Sequence, residues 1–135
     1  MATVSQSTLF YLSESASGIT WEDAVDLARH ARSRNLAEGI TGVLVFDGTT
    51  FVQFVNGPEK ATSDLLARLR FDPRHRLLDV FSKPPGAGLP HFDAWGLTLL
   101  QPLPGASLAA IRGLDWSTAF ARLAAALPEG SIMAT

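Results

Sequence analysis

The chain has 135 residues, of which 47% are hydrophobic and 18% are charged, with a formal net charge of −2 and no cysteine. This composition fits one globular domain and excludes a disordered chain, a disulfide framework and a thiolate metal site. The slight negative charge disfavours nucleic-acid binding. No signal peptide and no apolar run of about 20 residues is present, so we expect a cytoplasmic protein without a membrane span or a metal.

The first part of the chain predicts a strand followed by a helix. Residues 7–13 are a short apolar and aromatic run, which is typical of a buried strand. Thr20 is a favourable helix N-cap residue, and Asp23 follows it at the spacing of a capping box. Apolar residues then recur at helical spacing, which predicts a helix over residues 21–34.

A hairpin is the strongest local prediction. Residues 40–46 and 50–55 are both apolar runs of strand length. Asp47-Gly48 lies between them, and this dipeptide is the favoured turn of a tight hairpin. We therefore expect two antiparallel neighbouring strands here.

The rest of the chain completes an α+β pattern. The predicted elements are a helix between Pro58 and Pro73, strands at 77–82 and 92–100 around a loop at 84–90, and short helices at 107–112 and 116–127. The order β-α-β-β-α-β-β predicts a ferredoxin-like sandwich with a five-stranded sheet and two helices on one face. We assign residues 5–101 to this domain and residues 102–135 to a C-terminal helical extension. The extension is expected to act as a cap on the sheet or as an oligomer contact.

Two polar residues interrupt the apolar strands. Tyr11 lies between Phe10 and Leu12 in the first strand, and Gln53 lies within the third. A buried amide without a partner costs about 1–3 kcal/mol, so a central strand rarely keeps a glutamine where a valine would pack. The first and third strands are neighbours in this topology, and we expect the Tyr11 hydroxyl to lie within bonding reach of the Gln53 amide.

Further polar residues lie near the two helices. Asn35 ends the first predicted helix, Arg68 and Asp72 share a face of the second, and His75 follows the stop at Pro73. Taken singly, each has an ordinary explanation. Asn35 fits a helix C-cap, Arg68 and Asp72 fit a solvated ion pair, and His75 fits a surface position. An uncharged planar ring held between the helices would meet Asn35 from one side and Arg68 from the other.

Several short segments resemble the BLUF family, whose name stands for blue light using flavin. The resemblance spans about residues 9–100 and depends on the order and spacing of the segments. These are Tyr11-Leu12-Ser13, Arg32-Ser33-Arg34-Asn35, Gly39-Ile40-Thr41-Gly42-Val43-Leu44, Phe51-Val52-Gln53, Asp72-Pro73-Arg74-His75 and Phe92-Asp93-Ala94-Trp95.

The resemblance implies a non-covalently bound flavin between the two helices, namely FAD, with FMN or riboflavin as alternatives. By position in the motifs, Asn35 matches the asparagine that bonds the edge of the ring, and Gln53 matches the glutamine between the ring and Tyr11. The other implied flavin contacts are Ala31, Ile40, Leu44, Phe51, Arg68, Asp72 and His75. Ala31 stands where many members have serine.

The resemblance also implies a light-driven cycle in which Tyr11 gives an electron, a proton moves through Gln53, and the glutamine rearranges. An amide carries a donor and an acceptor on one planar group, so its reorientation exchanges the bonding pattern. The cycle leaves no net product, so we expect a photoreceptor and not an enzyme. Trp95 and Leu97 are the implied photoactive residues of the fifth strand, where Leu97 replaces the usual methionine of the signal relay.

Signalling then requires partners. We expect a homo-oligomer and a downstream protein partner, with no role for nucleic acid or membrane.

Two other classes fit less well. An acylphosphatase-like hydrolase needs an arginine-rich loop after the first strand, and residues 12–19 contain no arginine. An RRM-like RNA binder needs basic residues beside its strand aromatics. A BLUF-like module without flavin, serving only protein contacts, is the main alternative.

Overall fold

The structure is a computed structural model that describes residues 6–81, 95–99, 108–126 and 133–134. The strands are β1 (Gln6–Ser15), β2 (Thr41–Phe46), β3 (Thr50–Pro58), β4 (His75–Phe81), β5 (Trp95–Leu99) and β6 (Met133–Ala134). The helices are α1 (Trp21–Ala37), α2 (Glu59–Arg70) and α3 (Trp116–Ala126), and a 3₁₀ turn covers Leu108–Ile111. The predicted order of elements is therefore present, in an α+β fold.

The strands form one sheet in the order β4-β1-β3-β2-β5-β6. β5 runs parallel to β2, and the other neighbouring pairs are antiparallel. The predicted number of five strands is wrong, because β6 adds a sixth strand that pairs with Gly96 and Leu97. A two-residue strand has no alternating pattern, so the sequence gives no signal for it.

Alternation along the strands builds a separate core on each face of the sheet. One face carries Leu9, Tyr11, Leu44 and Phe51, and it packs against α1 and α2. The opposite face packs against the 3₁₀ turn and α3. Its buried residues are Phe10, Leu12, Val43, Val45, Val52, Phe54, Phe81, Leu108, Ile111, Trp116, Ala119 and Leu123. The first two helices thus lie on one face, as predicted.

Helix α1 begins where the sequence predicts and ends later. Thr20 accepts from the backbone N–H of Asp23, whose carboxylate accepts from the N–H of Thr20, so the capping box is present. The helix continues to Ala37, and its C-cap is Glu38. The interpretation of Asn35 as a helix end is therefore wrong. It lies within the last turn, where its side chain is directed inward.

The predicted hairpin is present, and its turn also holds the C-terminal segment. Oδ1 of Asp47 accepts from the backbone N–H groups of Thr49 and Thr50, which closes the turn. Oδ2 accepts from the N–H of Leu108 at 2.9 Å, at the start of the 3₁₀ turn. One buried carboxylate therefore ties the hairpin to the layer that covers the second face.

Residues 108–125 pack against the sheet. The Trp116 ring lies 5.4 Å from that of Phe10 and 5.2 Å from that of Phe54, and it is buried. The domain boundary at 101–102 and the loop at 84–90 lie outside the described residues, so those two assignments stay predictions. Within the part of the chain that the structure describes, no helix is long and apolar enough to cross a bilayer.

Candidate functional site

The two helices and the sheet enclose a cavity of about 330 Å³. It opens between α1 and α2, above the central strands. Its walls contain apolar and polar side chains from both helices and from four strands. The lining residues are Tyr11, Ser13, Leu27, His30, Ala31, Arg34, Asn35, Leu44, Phe51, Gln53, Leu65, Arg68, Leu69, Asp72, Arg74 and His75.

The floor of the cavity carries the expected tyrosine–glutamine pair. Tyr11 and Gln53 occupy directly opposite positions on β1 and β3. The Tyr11 hydroxyl donates to Oε1 of Gln53 at 2.6 Å, and each residue is only 3% exposed. Burial raises the pKa of Tyr11, and the Asp72 carboxylate raises it further, so the phenol stays protonated and acts as a donor.

The strand register aligns further residues with this pair across the sheet. Gln53 is opposite Leu44 on β2, and Leu44 is opposite Leu97 on β5. Tyr11, Gln53, Leu44 and Leu97 therefore occupy one row over four strands. Trp95 is opposite Gly42, at the start of β5. The side chains of Trp95 and Leu97 lie outside the described part of the structure, so their photoactive roles stay predictions.

Asn35 presents an amide to the cavity from the last turn of α1. It is 1% exposed, and its backbone carbonyl accepts from the N–H of Ile40 at 2.7 Å, which fixes the end of the helix. Among the residues described, Nδ2 of Asn35 has no hydrogen-bond partner. Buried amide donors are seldom left unpaired, so this group indicates a ligand acceptor in the cavity.

Arg68 approaches the cavity from α2. Its guanidinium lies 3.5 Å from the carboxylate of Glu38, the C-cap of α1, so an ion pair connects the two helices at the cavity wall. The ordinary interpretation of Arg68 and Asp72 as an ion pair is wrong, because the Asp72 carboxylate bonds Arg74 instead. Within the described structure, Nε and Nη2 of Arg68 are buried and make no hydrogen bond.

Asp72 and Arg74 form a two-bond ion pair at the rim. Nη2 of Arg74 is 2.6 Å from Oδ2 of Asp72, and Nε is 2.9 Å from Oδ1. The hydrogen bonds from Arg74 are the main reason that the pKa of Asp72 lies below its usual range. Asp72 is therefore a carboxylate that orients Arg74, and the short turn after α2 holds both residues at the rim.

His75 is not a surface residue. Its side chain is 4% exposed and lies 3.9 Å from the Asp72 carboxylate, at the start of β4. Burial lowers the pKa of His75, while Asp72 opposes this effect. Nδ1 of the ring has no partner among the described residues. The neighbouring arginines made a surface position the ordinary interpretation, but the strand alternation turns His75 toward the cavity.

The cavity lining differs from the flavin contacts expected from the sequence, since one expected residue is absent from it and others are present. Ile40 does not line the cavity, because it is fully buried against Gly57, where a Cβ would lie 2.8 Å from its Cγ1. Ser13 does line it, is fully buried, and has an Oγ without a partner in the described part of the chain. Its position two residues after Tyr11 on β1 was the available signal, since alternate strand residues share a face.

The unpaired polar atoms test whether the cavity fits a flavin. Nδ2 of Asn35 and Nε of Arg68 supply donors, Ser13 supplies a hydroxyl, and Leu27 and Leu65 supply apolar walls on opposite helices. An isoalloxazine ring has apolar faces and an edge of carbonyl and ring-nitrogen acceptors, so these residues fit it. Among the residues described, no cluster of His, Asp and Glu could hold a metal ion. The fold and site define a small α+β domain with a cavity whose residues fit a planar heteroaromatic ligand.

Comparison with known proteins identifies the family. The family model described as "Sensors of blue-light using FAD" matches residues 7–98. The chain therefore belongs to the BLUF family of flavin-binding blue-light sensors. This domain is a sensor module and is not itself catalytic.

Individual relatives agree with this assignment. The chain is 33% identical to the beta subunit of photoactivated adenylate cyclase from Euglena gracilis, over 67% of this chain and 11% of the subunit. It is 31% identical to the blue light- and temperature-regulated antirepressor BluF of Escherichia coli, over 50% of this chain and 17% of that protein. The chain thus spans only a small part of these curated relatives.

Among solved structures, the chain resembles the dark state of BlrB, a BLUF protein, with a TM-score of 0.63 and 28% identity over 92% of this chain and 98% of that one. It also resembles the manganese/cy-diGMP complex of Klebsiella pneumoniae BlrP1, with a TM-score of 0.60 and 32% identity over 72% of this chain and 24% of that one.

Proposed function

We propose that this protein is a blue-light photoreceptor that holds FAD non-covalently in the cavity between α1 and α2, with Tyr11 and Gln53 as the photoactive pair. The observation that carries the proposal is the buried 2.6 Å hydrogen bond between these two side chains, at the floor of a cavity in which the Asn35 amide nitrogen faces inward. FMN or riboflavin in place of FAD is a variant of the same proposal.

Each cavity residue has a proposed task toward the flavin. Nδ2 of Asn35 donates to an acceptor on the ring edge, and the Gln53 amide bonds to the same edge. Arg68 supplies a cation beside the ring, while Asp72 and His75 lie toward the side chain of the flavin. Ala31, Leu44 and Phe51 supply apolar contact, because all three line the cavity without a charged group.

A bound flavin would supply absorption of blue light and acceptance of one electron. Tyr11 is the proposed donor of that electron, because its phenol lies on the cavity floor. Loss of an electron makes a phenol proton strongly acidic, and Oε1 of Gln53 is 2.6 Å away to accept it. The Gln53 amide then presents a different pattern of donor and acceptor to the cavity. Return of the proton and the electron restores the starting pair.

The output is proposed to pass through the sheet to another protein. Gln53, Leu44 and Leu97 are successive members of one row, so a rearranged glutamine has a short route to β5. We propose that Trp95 and Leu97 respond to it, and that the signal reaches a protein partner in a homo-oligomeric cytoplasmic receptor. Residues 5–101 would form the sensor, and residues 102–135 the extension that caps it or joins it to a second copy.

A direct spectroscopic test separates this proposal from a flavin-free interaction module. The purified chain is mixed with FAD, freed of excess ligand, and followed by visible absorption in the dark and under blue light. We expect retained flavin and a reversible red shift. A chain that retains none of FAD, FMN or riboflavin would falsify the photoreceptor function and favour the flavin-free module.

A further inference from the structure

A second recess continues the cavity along α1. It has a volume of about 300 Å³ and shares Leu27, His30, Phe51 and Arg74 with the main cavity. Its own walls are Ile19, from the loop before α1, and Asp23 and Asp26, from the first turns of that helix. The polar tasks proposed above for Asn35, Arg68 and Gln53 use none of this space.

We propose that this recess receives the adenosine half of FAD, so that the protein distinguishes FAD from FMN and riboflavin. The inference rests on the proposed function, since it takes the flavin ring to occupy the main cavity. FAD differs from FMN by one adenosine monophosphate unit. A protein that selects FAD over FMN must therefore contact this unit, in a space connected to the first through a position that tolerates phosphate.

The connection between the two spaces carries the positive charge that phosphate requires. Arg74 lines both spaces, and Asp72 orients its guanidinium through Nε and Nη2, which leaves the Nη1 hydrogens for another acceptor. His30 also lines both spaces, and its Nδ1 is 2.9 Å from the backbone carbonyl of Asp26. Nδ1 therefore carries a proton, and Nε2 is the nitrogen available to a ligand. We therefore place the pyrophosphate between these two side chains.

The far end of the recess has the opposite charge. Asp23 uses Oδ2 in the capping box, and Asp26 lies 3.7 Å from the exposed Arg29, so both carboxylates keep acceptor capacity. Carboxylates repel a phosphate but accept from the exocyclic amine of adenine, which is a donor. Ile19, which lines only this recess, offers apolar contact to a face of the base. This pattern suits adenine and not a second phosphate.

The test measures binding and not light response. Titration calorimetry of the full flavin-free chain in the dark compares FAD, FMN, riboflavin and the FAD analogue with hypoxanthine in place of adenine. A hydrogen bond to a charged group is worth about 1.5–3 kcal/mol, so we expect FAD to bind about 10-fold more tightly than FMN. The analogue presents an oxygen where adenine has its amine, and we expect it to lose that advantage.

Two variants locate the effect. Asp26→Ala should weaken FAD binding about 10-fold and leave FMN binding within about 2-fold, because it removes the proposed acceptor for the base and otherwise only an exposed ion pair with Arg29. Glu22→Ala is the matched control, since it removes one carboxylate from the exposed face of the same helix turn, outside the recess. It should leave both affinities unchanged. Neither residue makes a buried contact whose loss would unfold the chain.

The outcomes separate this inference from the function on which it rests. Equal affinities for FAD, FMN and the hypoxanthine analogue would overturn the adenosine recess while the flavin photoreceptor stands. An Asp26→Ala variant that loses FAD and FMN equally would also overturn it, because the effect would then lie at the ring cavity. If no flavin binds at all, the proposed function and this inference fail together.

Discussion

The Tyr11 hydroxyl donates to Oε1 of Gln53 at 2.6 Å from the opposite position on the neighbouring strand. Without this bond, the Tyr11 hydroxyl and Oε1 of Gln53 would both be buried and unpaired. Removing one partner therefore costs the desolvation of the other, whereas replacing both with apolar groups removes the need for the bond. The pair can thus be measured in protein stability, independently of flavin and light.

A double-mutant cycle measures this dependence. Tyr11→Phe and Gln53→Leu should each lower the free energy of unfolding of the flavin-free protein by about 1–3 kcal/mol, because each leaves one buried polar group unpaired. The double variant should lose at least about 1 kcal/mol less than the sum of the single losses. Urea unfolding followed by circular dichroism measures all four proteins.

Thr8 and Asn56 provide the matched control for this cycle. They occupy opposite positions on the same two strands, and Oγ1 of Thr8 donates to Oδ1 of Asn56 at 2.9 Å, but the pair is only partly buried. Water can replace either partner there, so Thr8→Val and Asn56→Leu should couple weakly. Additive losses for Tyr11 and Gln53, equal to those of the control pair, would contradict a mutually dependent buried bond.

The same two variants test the photochemical role. With equal flavin occupancy, Tyr11→Phe should bind flavin and lack the reversible red shift, because no phenol proton is available to Gln53. Gln53→Leu should also lack the shift, since leucine has no group that can exchange donor for acceptor. Absorption difference spectra under blue light are the measurement. A normal shift in Gln53→Leu would exclude the glutamine from the switch.

Much of the fold is predictable because its signals are local. The capping box at Thr20 and the turn at Asp47 depend on residues within three positions, and both are present as predicted. The extra turn of α1 after residue 34 was not predictable, since its end is set by Glu38 and by the tertiary environment of Asn35. The strand β6 depends on pairing with β5, which no pattern in two residues reveals.

The floor of the cavity was predictable from the sequence, whereas the ion pairs at its rim were less predictable. Tyr11 and Gln53 lie together because β1 and β3 are neighbours in this topology and their register places the two residues opposite each other. The ion pairs at the rim depend on tertiary contacts, and helical spacing alone suggested Asp72 as the partner of Arg68. The structure resolves this through the turn after α2, which brings Arg74 onto Asp72 and leaves Arg68 to Glu38 across the cavity wall.

Asn35 is expected to matter for the ligand and not for the fold. Asn35→Ala removes the Nδ2 donor, which has no protein partner in the described part of the chain. Flavin affinity should fall about 10-fold or more, while the free energy of unfolding without flavin should change by under about 1 kcal/mol. Fluorescence quenching titrations and urea unfolding give the two values. Leu36→Ala, at the exposed next position, is the control and should change neither.

His75 should make stability depend on pH. Burial lowers its pKa below the ordinary value of 6.5, so the unfolded chain binds the proton more tightly than the folded one. Its contribution is complete above about pH 6.5 and is lost as the pH falls through the lower folded pKa. The free energy of unfolding should therefore decrease on acidification through this range, and His75→Gln should flatten that part of the curve.

Replacing Asp72 provides a second, independent test of what sets the pKa of His75. Asp72 raises the pKa of His75 against the effect of burial, so Asp72→Asn should lower it further. Nuclear magnetic resonance titration of the His75 ring protons in both proteins measures the difference directly. An unchanged or higher pKa in the variant would show that the 3.9 Å contact between these side chains does not act electrostatically.

Asp47 should connect the stability of the hairpin to that of the C-terminal layer. Asp47→Ala removes the acceptor for the N–H groups of Thr49, Thr50 and Leu108, in a site that is 5% exposed. We expect a loss of about 2–4 kcal/mol in the free energy of unfolding, because buried donors are left unpaired. Hydrogen exchange of the Leu108 amide should accelerate more than that of amides in α1. Asp115→Ala is the control, since it removes the exposed N-cap acceptor of α3, which bonds the N–H of Thr118, and it should cost no more than the loss of one exposed helix cap. A loss no larger than in that control would mean that the C-terminal layer is held by the packing of Trp116 on Phe10 and Phe54, without help from the turn.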